Sequence, residues 1–188
     1  MLEVTMQFEK VLDKHKSIIL QWFNQEHVKE FYYGEGLENT LKNLELYCQG
    51  IRHNGRYAFD HWLAYYKKQP FGFLMTSPIT GPYDANDDYN RWYDDGKNSY
   101  TLDLLIGEAA FLGKGLADKM IRSFIVSQSV NADIYLIDPE AINTKAIHVY
   151  EKVGFKKIGE FYPAFNQKRH IMMRLFVEDL DVKNTLAY

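Results

Sequence analysis

Gly113-Lys114-Gly115 sits between an apolar strand segment and a helical pattern that begins at Leu116-Ala117. Glycines take positive φ and let a backbone approach a ligand closely. The first turn of the following helix leaves several N–H groups without partners. Together with the helix dipole, those groups make an anion site that would fit a pyrophosphate. A plain tight turn is the other reading of the same three residues. The segment is not a Walker loop, because no Gly-Lys-Ser/Thr occurs, and not a dinucleotide fingerprint, because Gly-x-Gly-x-x-Gly is incomplete.

Carboxylates supply the second kind of chemistry. Asp103 interrupts the apolar run Leu102, Leu104, Leu105 and Ile106. It is either a functional acid or base, or a residue that faces solvent from one side of an alternating strand. Asp138 ends a short strand segment before Pro139 and carries the same two readings. Residues 83–98 hold five aspartates against Arg91 and Lys97, with Trp92 among them. Such an acidic, aromatic rim suits a polyamine through charge attraction and cation–π contact. A solvated acidic loop is the alternative. Asp88 and Trp92 are the candidate substrate contacts in it, with Trp62 and the Phe31-Tyr32-Tyr33 group as candidates for the same pocket; aromatics of this kind more often pack in a core.

Other chemistries are excluded or unsupported. The histidines at 15, 27, 53, 61, 148 and 170 show no spacing typical of zinc ligands, so no metal site is expected. Cys48 is the only cysteine, which rules out an internal disulfide and a paired-cysteine zinc site. No Gly-x-Ser-x-Gly elbow occurs.

The elements that must hold these residues follow from periodicity and turn signals. Residues 4–11 are expected to open as a strand, 14–33 as a helix stopped at Gly34, and 38–51 as a second helix. Residues 61–67 and Phe71 to Thr76 form a hairpin around Lys68-Gln69-Pro70. A long loop spans 77–99, and 100–107 is a strongly apolar strand. After the glycine turn a helix runs to about residue 128, followed by a strand from Ile134 to Asp138. Asn143 caps a helix to Val153 that places Ala146, Ile147 and Tyr150 on one side and stops at Gly154. Strands from Phe155 and from His170 to Phe176 close the chain. The order predicts an α/β fold on a mostly antiparallel mixed sheet flanked by helices, in one domain spanning 1–188.

Composition agrees with that class. The chain has 188 residues, 46% apolar and 25% charged, ordinary for one globular domain. A net charge of −3 argues against a general nucleic-acid binder. The first residues lack the pattern of a secretory signal, and no apolar run approaches a membrane span. A soluble, cytoplasmic protein without a membrane partner is expected, as monomer or homodimer.

Asn143-x-x-Ala146-x-x-x-Tyr150-x-Lys152-x-Gly154-Phe155 resembles the C-terminal signature of the GNAT superfamily of N-acetyltransferases. Phe111-Leu112-Gly113-Lys114-Gly115-Leu116-Ala117 resembles that superfamily's pyrophosphate loop, in the right order and at a fitting distance. Ala110 departs from the Gln or Arg usual at the loop's start, which removes a side chain but no backbone donor. Gln21-Trp22-Phe23-Asn24, His27-Val28, Gln69-Pro70-Phe71-Gly72, the Trp92 loop and Leu102-Asp103 look like the aminoglycoside 6'-N-acetyltransferase branch, and siderophore-biosynthetic acetyltransferases share several of these features.

The resemblance implies acetyl-CoA as co-substrate and a primary amine of a small cationic molecule as acceptor. It implies that Leu104, Leu105 and Ile106 pair with the pantetheine arm, one backbone N–H polarising the thioester carbonyl. Leu112, Gly113, Lys114, Gly115, Leu116 and Ala117 would hold the pyrophosphate, and Asn143 would hydrogen-bond the cofactor. Asp103 would position the amine and take its proton, directly or through water. Tyr150 would be the acid for the departing thiolate; thiol and phenol reference pKa values lie at roughly 8.5 and 10. Asp138 would be a second cation-binding carboxylate. A siderophore-type or protein N-terminal acceptor, and a non-catalytic acetyl-CoA binder, are the competing expectations.

Overall fold

The computed structural model describes residues 6–128 and 131–180. The strand segments become β1 (Gln7–Lys10), β2 (Asp60–Tyr66), β3 (Gln69–Ile79), β4 (Ser99–Ile106), β5 (Ile134–Ile137), β6 (Lys156–Phe161) and β7 (His170–Phe176). The helices are α1 (Lys16–Phe23), α2 (Glu26–Lys29), α3 (Gly34–Cys48), α4 (Ala117–Gln128) and α5 (Thr144–Val153). The strands form one sheet in the order β1-β2-β3-β4-β5-β7-β6. Every pairing is antiparallel except β4–β5. Among the described residues, no helix is long and apolar enough to cross a membrane.

Side chains alternate across each strand, so the sheet carries a core on both faces. On one face, Leu74, Leu102, Tyr135 and Met173 pack under Met120, Phe124, Ile147 and Tyr150 of α4 and α5. On the other, Leu63, Phe73, Met75 and Leu105 pack under Trp22, Val28, Leu44 and Tyr47 of α1, α2 and α3. A smaller cluster around Ile134, Leu136, Phe161 and Met172 receives Tyr89, Trp92 and Tyr93 from the long loop. Burying one such large apolar side chain stabilises the fold by about 1.5–3 kcal/mol.

Several boundaries differ from the sequence expectation. The helix expected over 14–33 is broken at Asn24 and Gln25, giving α1 and the short α2, and Gly34 opens α3 rather than stopping a helix. The hairpin turns at Lys67-Lys68, both at positive φ, and not at Lys68-Gln69-Pro70. Two such residues match the twist of the flanking strands. The returning strand therefore starts earlier and runs to Ile79. It tolerates Pro78 because its β2 partner ends opposite Thr76, so no ladder donor is missed there. The expected opening strand is seen from Gln7, and residues 4 and 5 lie outside the described residues.

One irregularity of the sheet prepares the site. β4 and β5 pair only over Ser99–Thr101 and Ile134–Leu136. Beyond Thr101 they part, so the C-terminal half of β4 keeps β3 on one side and a gap on the other.

Candidate active site

The gap leads into a cavity of about 520 Å³. Asp103 and Leu104 of β4, Asp138 to Glu140 after β5, Tyr150 of α5 and His170 of β7 form its inner wall. Tyr32, Tyr33 and the start of α3 cover one side, and Asp87 to Asn90 of the long loop cover another. An ion pair of Arg56 and Asp87 at 3.1 Å ties that loop to the chain before β2.

Asp103 keeps accessible surface, and that surface opens on the cavity. Enclosure by protein pushes its carboxyl up to about 7, with the Asp138 charge adding to the rise and His170 opposing it. Burial also raises Asp138, whereas its hydrogen bonds to His170 and Tyr89 pull the other way. His170 Nδ1 lies 2.7 Å from the Asp138 carbonyl and 3.0 Å from Oδ2. Both are acceptors, so Nδ1 carries the proton. Burial alone would lower the His170 pKa, but the bond to and charge of Asp138 outweigh it and the net shift is upward. On its far side, Nε2 meets Asn166 Nδ2 at 3.2 Å. Asn166 in turn reaches Glu140, which also accepts from the Tyr33 hydroxyl. A partly buried polar chain thus runs from Tyr33 to Asp138 with its members mutually satisfied.

Tyr150 is only 8% exposed and lines the same cavity. Burial, with Asp103 and Asp138 as nearby charges, pushes its phenol above the ordinary value. It therefore stays protonated at neutral pH. The shift moves it away from a thiol's pKa, so what it offers a ligand at neutral pH is a donated hydrogen bond rather than a complete proton transfer. The fold thus widens the gap between the two reference values rather than closing it.

The β4 edge has a definite polarity. The Gly107 N–H bonds to Phe71 O at 2.9 Å, so odd residues of β4 direct their backbone groups toward β3. Leu104 and Ile106 consequently direct theirs into the gap. Leu105 directs its own into the β3–β4 ladder and its side chain into the α1–α3 core, which removes it from the cofactor set. Beyond the end of β4, Gly113 and Gly115 stand at φ +71° and +63° with open space where a Cβ would be. Alternating positive φ turns successive N–H groups inward, an anion-binding concavity. Leu112 is exposed beside it, Lys114 lies over the Phe111 ring, and Leu116 is buried as α4 begins at Ala117. Residues 112–117 stand outside the cavity lining, whereas Leu104, Asn143 and Tyr150 belong to it. Asn143 Oδ1 caps α5 by accepting from Ala146 N at 3.1 Å, which leaves its Nδ2 as the group able to bind a ligand. N–H groups along the gap suit a pantetheine arm, and the Gly113–Gly115 turn ahead of α4 suits a pyrophosphate.

Other candidates fall elsewhere. Trp62 is core, packed edge-on to Phe124 at 4.9 Å on the face opposite Asp103 and absent from the cavity. Trp92 is also absent from it: the ring lies against Gly159, where a Cβ would meet it at 2.3 Å, and anchors the acidic loop. Asp88 does line the cavity, but it accepts from Ala164 N at 3.0 Å and pairs with Arg91 at 3.5 Å. Tyr89, whose hydroxyl lies 3.4 Å from both Asp138 oxygens, holds the position expected of Trp92. His170, Glu140 and Tyr89 carried no distinguishing signal in the sequence, because their partners are far away in it.

A model of the acetyltransferase (GNAT) domain matches residues 11–162. A crystal structure of an aminoglycoside N(6')-acetyltransferase from Legionella pneumophila is 35% identical, covers 97% of this chain and 98% of its own, and superposes with a TM-score of 0.81. An aminoglycoside N(6')-acetyltransferase type 1 of Klebsiella pneumoniae is 26% identical over 148 residues, which are 76% of this chain and 70% of that protein. The structure of AAC(6')-Ib in complex with ribostamycin and coenzyme A shares the fold, with a TM-score of 0.74 at 22% identity over 92% of this chain and 93% of its own. With the splayed strands, the glycine nest and the capped Tyr150 helix in place, the chain belongs to the GNAT acetyltransferase family.

Proposed function

We propose that this acetyltransferase moves the acetyl group of acetyl-CoA to a primary amine of a small polycationic acceptor, an aminoglycoside 6'-amine first among them. The observation that carries this reading is the placement of Asp103, Asp138 and Tyr150 around one cavity that opens on the free edge of β4. The 35% identical Legionella pneumophila relative supports the acceptor class.

Acetyl-CoA, when bound, supplies an activated thioester. The residues do the rest. The N–H groups of Leu104 and Ile106 present donors where carbonyl charge develops. Asp103, poised near neutrality, takes the proton that an ammonium must lose before it can attack. Asp138, held by His170 and Tyr89, fixes a second cationic group of the acceptor. Tyr150 keeps its proton and donates to the departing sulfur. Arg91 and Arg56 partly offset Asp88 and Asp87, which leaves Asp103, Asp138 and Glu140 as the inner-wall carboxylates that attract cations. A protein N-terminus would need an open groove, whereas the Asp87 to Asn90 segment covers this cavity.

The test is thiol release from acetyl-CoA across a panel: a 6'-amine aminoglycoside, N6-hydroxylysine, spermidine and a short peptide. The aminoglycoside should be turned over with the highest kcat/KM. Faster release with another amine would move the acceptor to that class, and acetyl-CoA binding without release would favour the non-catalytic binder.

A further inference from the structure

The segment from α1 to Tyr32 does more than cover a core. Two of its side chains reach the gap-facing edge of β4, and a third packs at the strand's end. His27 Nε2 lies 2.9 Å from Ile106 O, and Tyr32 Oη lies 3.1 Å from Leu104 O. Trp22 presses on the strand's end so closely that a Cβ on Gly107 would meet its ring at 2.1 Å. A carbonyl can only accept, so His27 Nε2 carries its proton.

The electrostatics of a free strand edge explain why this matters. Each gap-facing residue presents both an N–H and a C=O. An acceptor site for developing negative charge is favoured by the first and opposed by the second. Covering both carbonyls with side-chain donors leaves an edge dominated by its N–H groups. It also fixes the strand where β5 gives it no support.

We propose that His27 is a positioning residue of the acyl-donor site, acting with Tyr32 to hold the β4 edge with its carbonyls covered and its N–H groups presented. This rests on the acetyl-CoA reading above. The consequence is that α2, a helix of four residues remote from Tyr150 in sequence, sets the environment of the thioester.

The experiment uses acetyl-CoA labelled with carbon-13 at the thioester carbonyl, bound to the enzyme without acceptor. The bound carbonyl resonance, the dissociation constant and the kinetics are compared for wild type, His27→Ala, His27→Gln and Tyr32→Phe. In His27→Ala and Tyr32→Phe the bound resonance should move back toward that of free acetyl-CoA. Their kcat should fall about tenfold, as expected for a slightly misplaced reacting group. The acceptor KM should change little in His27→Ala, and His27→Gln should recover most of the loss. Tyr32→Phe keeps the ring, so it remains informative if His27→Ala folds poorly. Folded variants with a wild-type resonance and kcat would overturn the proposal and leave His27 as a structural tie. Failure of the wild type to bind acetyl-CoA would instead overturn the reading on which it rests.

Discussion

Asp103 and Tyr150 reach one cavity from different elements, β4 and α5; the first stands out in the sequence by interrupting an apolar run, the second by the resemblance of its helix to the GNAT signature. His170, which holds Asp138, was not legible. Its bond spans 32 residues, and that from Tyr33 to Glu140 spans 107. No local pattern encodes such pairs. The Asp103 carboxyl, raised to about 7, predicts that kcat/KM climbs as pH rises through neutrality, and that Asp103→Asn lacks this limb. It also predicts a stability effect. The folded pKa is above the ordinary 3.8, so the group's contribution is full below that value and is lost as pH rises through about 7. Asp103→Asn should therefore raise the melting temperature more at pH 8 than at pH 5.5, measured by calorimetry. An equal gain at both would remove the carboxylate's enclosure from the account. Tyr150→Phe should lower kcat by about 10- to 100-fold with acetyl-CoA affinity nearly intact by titration calorimetry. Wild-type turnover would end its role at the leaving sulfur.

The strands were easier to place than the turns between them. Apolar content marked β4 and β7 within one residue at each end. The Lys67-Lys68 turn was missed because lysine carries no turn preference; the strands around it impose the positive φ. Gly34 was misread because glycine marks a break without saying which side is helical. The parting of β4 from β5 is not written in either strand, since it depends on what lies between them in space. At the glycine nest, Gly113→Ala meets no neighbour but must hold φ near +71°. The cost should be about 1–2 kcal/mol in denaturant unfolding, together with weaker acetyl-CoA binding. Wild-type affinity would show that the nest does not hold the phosphates. Gly159→Ala instead drives a Cβ into Trp92. Its overpacking should cost about 1–3 kcal/mol and raise the acceptor KM, because Trp92 anchors the loop that carries Tyr89. A change in the acetyl-CoA KM alone would contradict that division of labour.

On the proposed function, the molecule separates two tasks on one sheet. The α4–α5 face supplies the glycine nest and Tyr150, and the α1–α3 face with the acidic loop supplies the acceptor cavity. β4 lies between them and offers each face something: alternating side chains put Asp103 toward the cavity and Leu102 toward the α4–α5 core. The order of the two motifs was legible in the sequence, whereas the place of the aromatics was not, because Trp62 and Trp92 are packing residues. On the proposed function, an amine delivered into the cavity, beside Asp103, receives the acetyl group. This is tested most directly with two aminoglycosides that differ only in bearing a 6'-amine or a 6'-hydroxyl. Thiol release would be followed for both, and the product's acetyl position read by nuclear magnetic resonance. Fast release is expected with the 6'-amine compound alone, with a single acetyl group on that nitrogen. Equal release with both compounds, or acetylation at another amine, would contradict that function.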